Sequence, residues 1–183
     1  MGQRIRRLRT QAGKTLRAQA AEIGIAPSSL SALENGNGGV SLKRLQLVAE
    51  HFGLHITDLL GEPAPSSSPE GVEIIRNCAA SVPGVRRGSG VLYQLLGSGH
   101  DHTIQPYLLT FEPGGGFDRD MIGHPGEEIA YVLYGRIELL IETECHELSQ
   151  GDLIRFRTDR AHAFRNASSV GVAGVIGAAT PPW

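Results

Sequence analysis

The sequence has little cysteine, little net charge and no long apolar run. Its 183 residues include only two cysteines, Cys78 and Cys145, without metal-ligand spacing. Both fall in segments that resemble strands, so we expect buried free thiols in a reducing compartment rather than a disulfide. No apolar stretch approaches membrane-spanning length, and the N-terminus lacks a signal-peptide core. These absences exclude a disulfide-stapled secreted domain and a membrane protein, and they predict a cytoplasmic location.

Charge is distributed unevenly along the chain, although the formal net charge is only −2. Residues 1–60 contain eight Lys or Arg against four acidic residues, a balance of +4. The remainder contains nine basic and fifteen acidic residues, a balance of −6. A basic first third followed by an acidic body is typical of a protein that contacts nucleic acid at one end.

The length allows two small domains, each with its own core. Residues 61–69, GEPAPSSSP, are rich in Pro and Ser and show no apolar periodicity, as expected of an extended linker. We therefore predict a domain over residues 1–60, a linker over 61–69 and a second domain over 70–183.

Apolar residues recur at helical spacing before the linker and predict four or five short helices. Two of these helices meet at a glycine turn at Gly24. Pro27 fits the first position of the second helix, where its missing N–H costs nothing, and Gly36 fits a left-handed helix stop. The second helix of the pair is therefore predicted at about residues 27–35.

The first third resembles the lambda-repressor-like helix-turn-helix of the XRE family. The resemblance rests on IRRLR, a turn, TL, AxxxG, SxLSxLENG and SLxxLxxVAxxFG in this order. It implies that Arg9, at the end of the first helix, pairs with Glu34 before the glycine stop. Two residues depart from the family pattern. Ala26 replaces the usual Ser or Thr cap, and Gln19 stands where the family has a buried Leu.

DNA contact is expected from the exposed start of the second helix of the pair, where small side chains predict modest direct readout of bases. The expected base contacts are Pro27, Ser28, Ser29, Ser31 and Ala32. The expected phosphate contacts are Arg17, Asn35, Asn37, Lys43 and Arg44. The alternative is a helical pair that serves only dimerisation or remains from an ancestral regulator.

After the linker the apolar pattern changes to two-residue alternation. Short runs such as VEII, VLYQLL, YLLTF, RIELLIE and DLIRF are separated by glycines. This pattern predicts an all-β sandwich or barrel. The whole chain is therefore expected to be a multidomain α + β protein, with helices first and a β domain second.

Two stretches of the β domain, HPGEEIAYVLYG and GDLIRFRTDRAHAFRN, resemble the two motifs of the cupin superfamily, which implies a jelly-roll barrel. Ile122 replaces the first histidine of the family pattern. The other motif positions are occupied by His124, Glu128, Gly135, Gly151, His162 and Asn166.

His124, Glu128 and His162 would bring two imidazoles and a carboxylate together, an arrangement that suits non-haem Fe(II) with open positions. The candidate cofactor is a divalent metal such as Fe, Zn, Mn or Ni. A metal-free pocket that orients a small effector, or a purely structural trio, are the alternatives. Strand alternation from Glu128 also places Tyr134 on the inward side of the strand. Further effector-binding candidates are Tyr93, Tyr107 and Phe164.

Together the two resemblances imply a sequence-specific transcriptional regulator and not an enzyme. We expect a homodimer that binds a double-stranded DNA operator, with a cupin domain that senses a small polar metabolite. The alternative is a mononuclear non-haem iron(II) oxygenase or epoxidase of the same two-domain layout, similar to the fosfomycin-pathway epoxidase, using the two-His, one-Glu site.

Overall fold

A computed structural model describes residues 1–36, 42–54, 58–59, 72–97, 103–117 and 121–181. Asn37, the predicted linker 61–69 and the side chain of Lys43 lie outside the described residues. The chain divides into two compact units, Met1–Glu62 and Pro63–Pro182. No helix among the described residues has the length and apolarity needed to cross a membrane.

The first unit is helical. Its helices are α1 (Gly2–Gln11), α2 (Leu16–Ile23), α3 (Pro27–Asn35) and α4 (Leu42–His51). The Thr15 hydroxyl caps α2 by accepting from the Ala18 N–H at 3.2 Å. Gly24 and Gly36 end α2 and α3 in the left-handed conformation, with φ of 80° and 67°. The predicted bounds of the second helix of the pair are confirmed, and Ala26 makes no side-chain cap.

Each helix of the first unit contributes to one small core. Ile5 of α1, Ala20 of α2, Leu30 of α3 and Val48 of α4 are fully buried. These apolar contacts fix α2 and α3 as a helix-turn-helix pair against α1 and α4.

The second unit is a nearly closed antiparallel barrel, which confirms the predicted jelly-roll fold class. In the part of this unit that the structure describes, short helix α5 (Cys78–Ser81) precedes nine strands. They are β1 (Val85–Arg87), β2 (Ser89–Leu95), β3 (Gln105–Gly116), β4 (Glu127–Tyr134), β5 (Arg136–Ile141), β6 (Glu144–Ser149), β7 (Leu153–Arg157), β8 (His162–Asn166) and β9 (Ala173–Thr180). The main strand order is β6-β5-β8-β3-β9-β4-β7, with β2 on β3 and β1 on β2. The long strand β3 pairs with β9 over most of its length and with β8 at Gly116.

Successive side chains of a strand point to opposite faces of the sheet, so every second residue faces inward and fills the barrel. Strand β4 shows it clearly, because Glu128, Ala130 and Val132 are buried while Ile129 and Tyr131 are exposed.

Several expectations for the second unit are wrong. Residues 72–75 form no strand. Both cysteines are free thiols, but Cys78 is half-buried in α5 and Cys145 is exposed, because it lies on the outer face of the edge strand β6. Tyr134 is exposed rather than inward, since the β4–β9 register shifts between Val132 and Tyr134.

Candidate functional site

The start of α3 is accessible at two of the predicted base contacts. Among the predicted base contacts, Pro27 and Ser28 are exposed and Ser29, Ser31 and Ala32 are half-buried. Among the predicted phosphate contacts, Arg17 of α2, Asn35 of α3 and Arg44 of α4 are exposed. The Asn35 amide donates to the Ser31 hydroxyl at 3.3 Å, which ties two of these side chains together.

Arg9 and Glu34 fix α3 against α1, as the resemblance implies. The Arg9 guanidinium donates to both carboxylate oxygens of Glu34, from Nε at 2.6 Å and from Nη2 at 2.8 Å. This hydrogen bond raises the pKa of Arg9. Since Glu34 is only 6% exposed, the pair holds the end of α3 in one orientation.

Gln19 places an amide in the core of the helical unit, where it is 1% exposed. Its Nε2 lies 2.7 Å from Nε2 of His51, and its Oε1 has no hydrogen-bond partner among the described residues. Where the family pattern has a buried Leu, Gln19 therefore makes a polar contact between α2 and α4 through only one of its two amide atoms.

The barrel brings His124, Glu128 and His162 together. Glu128 lies on β4, His162 begins β8, and His124 lies in the segment before β4. The ligating atoms of the three side chains all lie within 4.8 Å of one another. His124 Nε2 is 3.4 Å from Glu128 Oε1, and His162 Nε2 is 3.9 Å from Glu128 Oε2. The half-buried Ile122, which replaces the first cupin histidine, pairs through its backbone with His162.

Backbone carbonyls fix the tautomers of both histidines. His162 Nδ1 lies 2.9 Å from the Arg160 carbonyl oxygen, and His124 Nδ1 lies 3.2 Å from that of Pro125. A carbonyl oxygen only accepts, so each Nδ1 carries a proton, and the neutral form of each ring has its lone pair at Nε2, on the side of Glu128. Burial lowers the pKa of His162 and favours its neutral form.

This donor set fits a divalent metal. Neutral imidazoles whose second nitrogen is held by a carbonyl are typical metal ligands, and a carboxylate completes a facial set suited to Fe, Zn, Mn or Ni. The three side chains are 3–14% exposed, so water competes weakly for them.

Two tyrosines extend the site into the barrel. The Tyr107 hydroxyl donates to Glu128 Oε2 at 3.3 Å, and the Tyr93 ring stacks on Tyr107 with centroids 5.9 Å apart. Gly177 makes room for Tyr107, because a Cβ there would collide with the phenol. Burial raises the pKa of both tyrosines, so both hydroxyls keep their protons.

Phenylalanine rings form an apolar wall beside the histidines. The Phe156 ring lies 5.1 Å from that of His162, and Phe164 lies 6.2 Å from Phe156. The structure therefore brings all six barrel residues expected from the sequence into one region.

Sequence reasoning missed Arg87, which is buried at the inner side of β1. Its guanidinium lies over the rings of Tyr93 and Phe117, at 5.1 and 4.8 Å from their centroids. Two-residue alternation across Val85, Arg86 and Arg87 is the sequence pattern that could have found it.

Comparisons with known proteins agree with this layout. A helix-turn-helix model matches residues 5–59, and a cupin-domain model matches residues 107–175. The HTH-type transcriptional regulator PuuR of Escherichia coli (strain K12) is 30% identical over 182 residues, which cover 98% of this chain and 94% of that protein.

One solved structure of a transcriptional regulator shares the fold of this chain. An HTH_3 family transcriptional regulator from Vibrio cholerae aligns with a TM-score of 0.58 and 18% identity, over 100% of this chain and 95% of that one. The hydroxypropylphosphonic acid epoxidase from S. wedmorenis aligns with a TM-score of 0.49 and 24% identity, over 97% and 95% of the two chains. The second likeness is too loose to say anything about function.

Proposed function

The chain belongs to the HTH-type transcriptional regulators that carry a cupin domain, and we propose that its barrel senses a small polar effector. The effector would adjust the affinity of a homodimer for a two-fold DNA operator. The observation that carries the proposal is the buried cluster of His124, Glu128 and His162, reached by the Tyr107 hydroxyl, in a regulator with an exposed α3 start. A change of about 5- to 150-fold in operator affinity needs a coupling of only about 1–3 kcal/mol.

The start of α3 is the proposed element for the major groove, because Pro27 and Ser28 are exposed there. Small side chains offer few bidentate hydrogen bonds to bases, so phosphate contacts would supply much of the affinity. Arg17 and Arg44 are exposed cations on the neighbouring helices.

Selection of DNA fragments by the full-length protein at physiological salt tests the operator proposal. A recovered motif with two-fold symmetry is expected. Arg17→Ala should weaken binding to all sequences and reduce the salt slope by about 1. Arg136→Ala changes an exposed arginine of the barrel and is the matched control. Equal loss in both variants, or no enriched fragment, would contradict the proposed contact.

A second copy of this chain is the proposed occupant of an apolar surface on the outer face of β7, β4 and β9. Leu153, Tyr131 and Ile176 lie directly across from one another in the strand register. All three are exposed, Leu153 by 60%, and Ile129 lies in the next row. Apolar side chains in one continuous patch favour burial against a partner. Because each helix-turn-helix pair is expected to read bases only modestly, two copies are needed to bind a specific DNA site.

Sedimentation of the full chain tests the homodimer. Tyr131→Glu is expected to produce monomers and to weaken operator binding at least tenfold. Thr143→Glu, on the exposed β5–β6 turn, should leave both measurements unchanged. A dimer that persists in the Tyr131→Glu variant would show that the interface lies elsewhere.

An iron(II)-dependent oxidoreductase is the second candidate function, favoured by the two-His, one-carboxylate donor set. A metal bound there would act as a Lewis acid toward an oxygen of the ligand. The chain's own residues would orient that ligand through the Tyr107 hydroxyl and the Phe156 wall. Metal analysis of purified protein separates the candidates. Absence of iron, together with no affinity for added Fe(II), would rule out the enzyme.

A further inference from the structure

One short stretch of chain touches both histidines of the barrel site. This connecting segment consists of residues 158–161, between β7 and β8. The Arg160 carbonyl oxygen lies 2.9 Å from His162 Nδ1, whose proton it accepts. The Thr158 carbonyl oxygen accepts from the backbone N–H of His124 at 2.7 Å. The connecting segment therefore helps to place the ring of one histidine and the backbone of the other.

Backbone contacts hold the first half of the connecting segment beside the residues that precede β4. The Thr158 N–H donates to the Gly126 carbonyl oxygen at 3.1 Å. Gly123 lies so near that a Cβ there would be 2.9 Å from the Asp159 carbonyl oxygen. The two stretches of backbone touch without side chains between them, so a movement of one displaces the other.

Arg160 ties the second half of the connecting segment to the turn between β5 and β6. Its guanidinium donates to Glu142 Oε2 from Nε at 3.1 Å and from Nη2 at 3.0 Å. Nη2 also donates to Glu144 Oε1 at 2.7 Å. The Ala161 carbonyl oxygen accepts from the Glu142 N–H at 2.8 Å. The turn thus holds the residue whose carbonyl meets His162 and also the residue that follows it.

Glu142 occupies a backbone conformation that favours glycine. Its φ is 53°, in the left-handed region. A side chain in this region costs free energy, which the surroundings must offset. The bonds from Glu142 to Arg160 and Ala161 are contacts that a glycine could make only in part, because a glycine has no carboxylate. The turn therefore keeps a carboxylate where glycine would be the less strained residue.

We propose that Arg160 is a positioning residue of the barrel site, and that its contacts with the β5–β6 turn fix the orientation of the His162 ring. The inference rests on the proposed ligand-binding role of this site and adds what keeps the site in shape. A histidine whose second nitrogen meets a fixed carbonyl presents Nε2 in one direction. Exposed ion pairs contribute little to global stability, so the loss of Arg160 should change the site more than the fold.

NMR of the imidazole nitrogens in the metal-free full chain tests this role at about pH 8, where an ordinary imidazole is neutral. Wild-type His162 is expected to show one tautomer, with its proton on Nδ1. Arg160→Gln should mix the two tautomers and speed exchange of that proton with water by about tenfold. Arg157→Gln, which changes an exposed arginine bonded to Asp159, is the matched control and should leave His162 unchanged. Wild-type His162 signals in Arg160→Gln, or equal changes in both variants, would overturn the proposal.

Titration with Zn²⁺ alone and with Co²⁺ alone gives a second measurement on the same variants. Arg160→Gln should weaken Zn²⁺ binding by about tenfold and change the visible absorption of bound Co²⁺, which reports the ligand geometry. Arg160→Lys keeps the charge but loses the planar fork, so it should recover part of the affinity. A Zn²⁺ affinity and a Co²⁺ spectrum equal to those of the wild type in Arg160→Gln would contradict the positioning role.

Glu142→Gly separates positioning from stability. Glycine adopts a φ of 53° without strain, so the variant should unfold at the same temperature as the wild type or higher. The loss of the carboxylate should nevertheless disturb the His162 tautomer as Arg160→Gln does. A purely structural contact would instead lower the unfolding temperature and leave the tautomer as it is, and this result would overturn the proposal.

These signals are measured without effector or DNA, so they are independent of the sensing role. A His162 tautomer that depends on Arg160, in a protein whose operator affinity responds to no effector, supports positioning and contradicts sensing. A tautomer that Arg160→Gln leaves intact, in a protein whose operator affinity does respond, contradicts positioning and supports sensing.

Discussion

Among the described residues, each unit of the molecule contains one buried glutamate, and the two carboxylates have different surroundings. Glu34 in the helical unit is 6% exposed and receives two short hydrogen bonds from Arg9. Glu128 in the barrel is 3% exposed and is approached by one tyrosine hydroxyl and by the Nε2 atoms of two imidazoles. The first carboxylate has a guanidinium in hydrogen-bond contact, whereas the second accepts from a phenol and lies 3.4 and 3.9 Å from imidazole nitrogens.

The difference indicates that the neighbours of a buried carboxylate, rather than its burial, separate a structural role from a binding role. A carboxylate neutralised by a neighbouring guanidinium stabilises the fold, and removal of either partner leaves a buried charge. A carboxylate that shares a site with two imidazoles is stabilised further by a bound cation or by a donor on a ligand. We therefore expect Glu34 to govern stability and Glu128 to govern binding.

The largest expected effect is the loss of the Arg9–Glu34 pair. Arg9→Ala leaves Glu34 buried without its cation and should lower the free energy of unfolding of the helical unit by about 2–4 kcal/mol. Urea unfolding, monitored by the circular dichroism of the helices, measures this change in the free energy of unfolding. Arg7→Ala removes an exposed arginine from the same helix and should cost less than about 0.5 kcal/mol. Similar losses in both variants would contradict a structural role for the pair.

The second-largest expected effect is a loss of barrel stability from changed packing around Tyr107. Gly177→Ala inserts a Cβ against the Tyr107 phenol, and we expect a loss of about 1–3 kcal/mol from the barrel together with weaker ligand binding. Thermal unfolding of the purified protein measures the first. Gly171→Ala is the matched control, because its nearest contact would be Ser168 Oγ at 3.4 Å. A neutral Gly177→Ala would show that Tyr107 moves freely and is not held at Glu128.

The same substitution at the two glutamates compares the units directly. Glu34→Gln should destabilise the helical unit by about 1–2 kcal/mol, because it weakens two charge-assisted hydrogen bonds. Glu128→Gln should change barrel stability by less than about 0.5 kcal/mol or increase it, because it removes a buried charge. It should also abolish binding of Zn²⁺ or Fe(II), measured by calorimetry. Equal destabilisation by both variants would remove the distinction between the two carboxylates.

The smallest expected effect is a gain in the helical unit. Gln19→Leu replaces the buried amide, whose oxygen has no partner among the described residues, with an apolar side chain of similar size. We expect a gain of about 0.5–1.5 kcal/mol in urea unfolding. Gln3→Leu, on the exposed face of α1, should give no gain. A destabilised Gln19→Leu would show that the contact with His51 outweighs the unpaired oxygen.

Much of the fold follows from local sequence patterns. The bounds of α3 are set by Pro27 and Gly36, because proline fits the first turn of a helix and glycine adopts the left-handed stop. Alternation predicted the inward face of β4 as far as Val132 but failed at Tyr134, where a register shift turns the side chain outward. The position of Cys145 was missed, since alternation alone does not say which face of an edge strand is covered.

The sequence by itself determined the helix-turn-helix pair, the jelly-roll class and the membership of His124, Glu128 and His162 in one candidate site. Spacing along the chain fixes the helix ends and strand faces, whereas the jelly-roll class and the three site residues are what the resemblance to the cupin motifs implies. Only the tertiary structure decided the distances between the three ligating groups, the carbonyl bonds that fix both tautomers, and the place of Arg87 beside Tyr93. Those contacts join residues from separate strands, and strand pairing in a barrel is set by long-range packing that no local pattern contains.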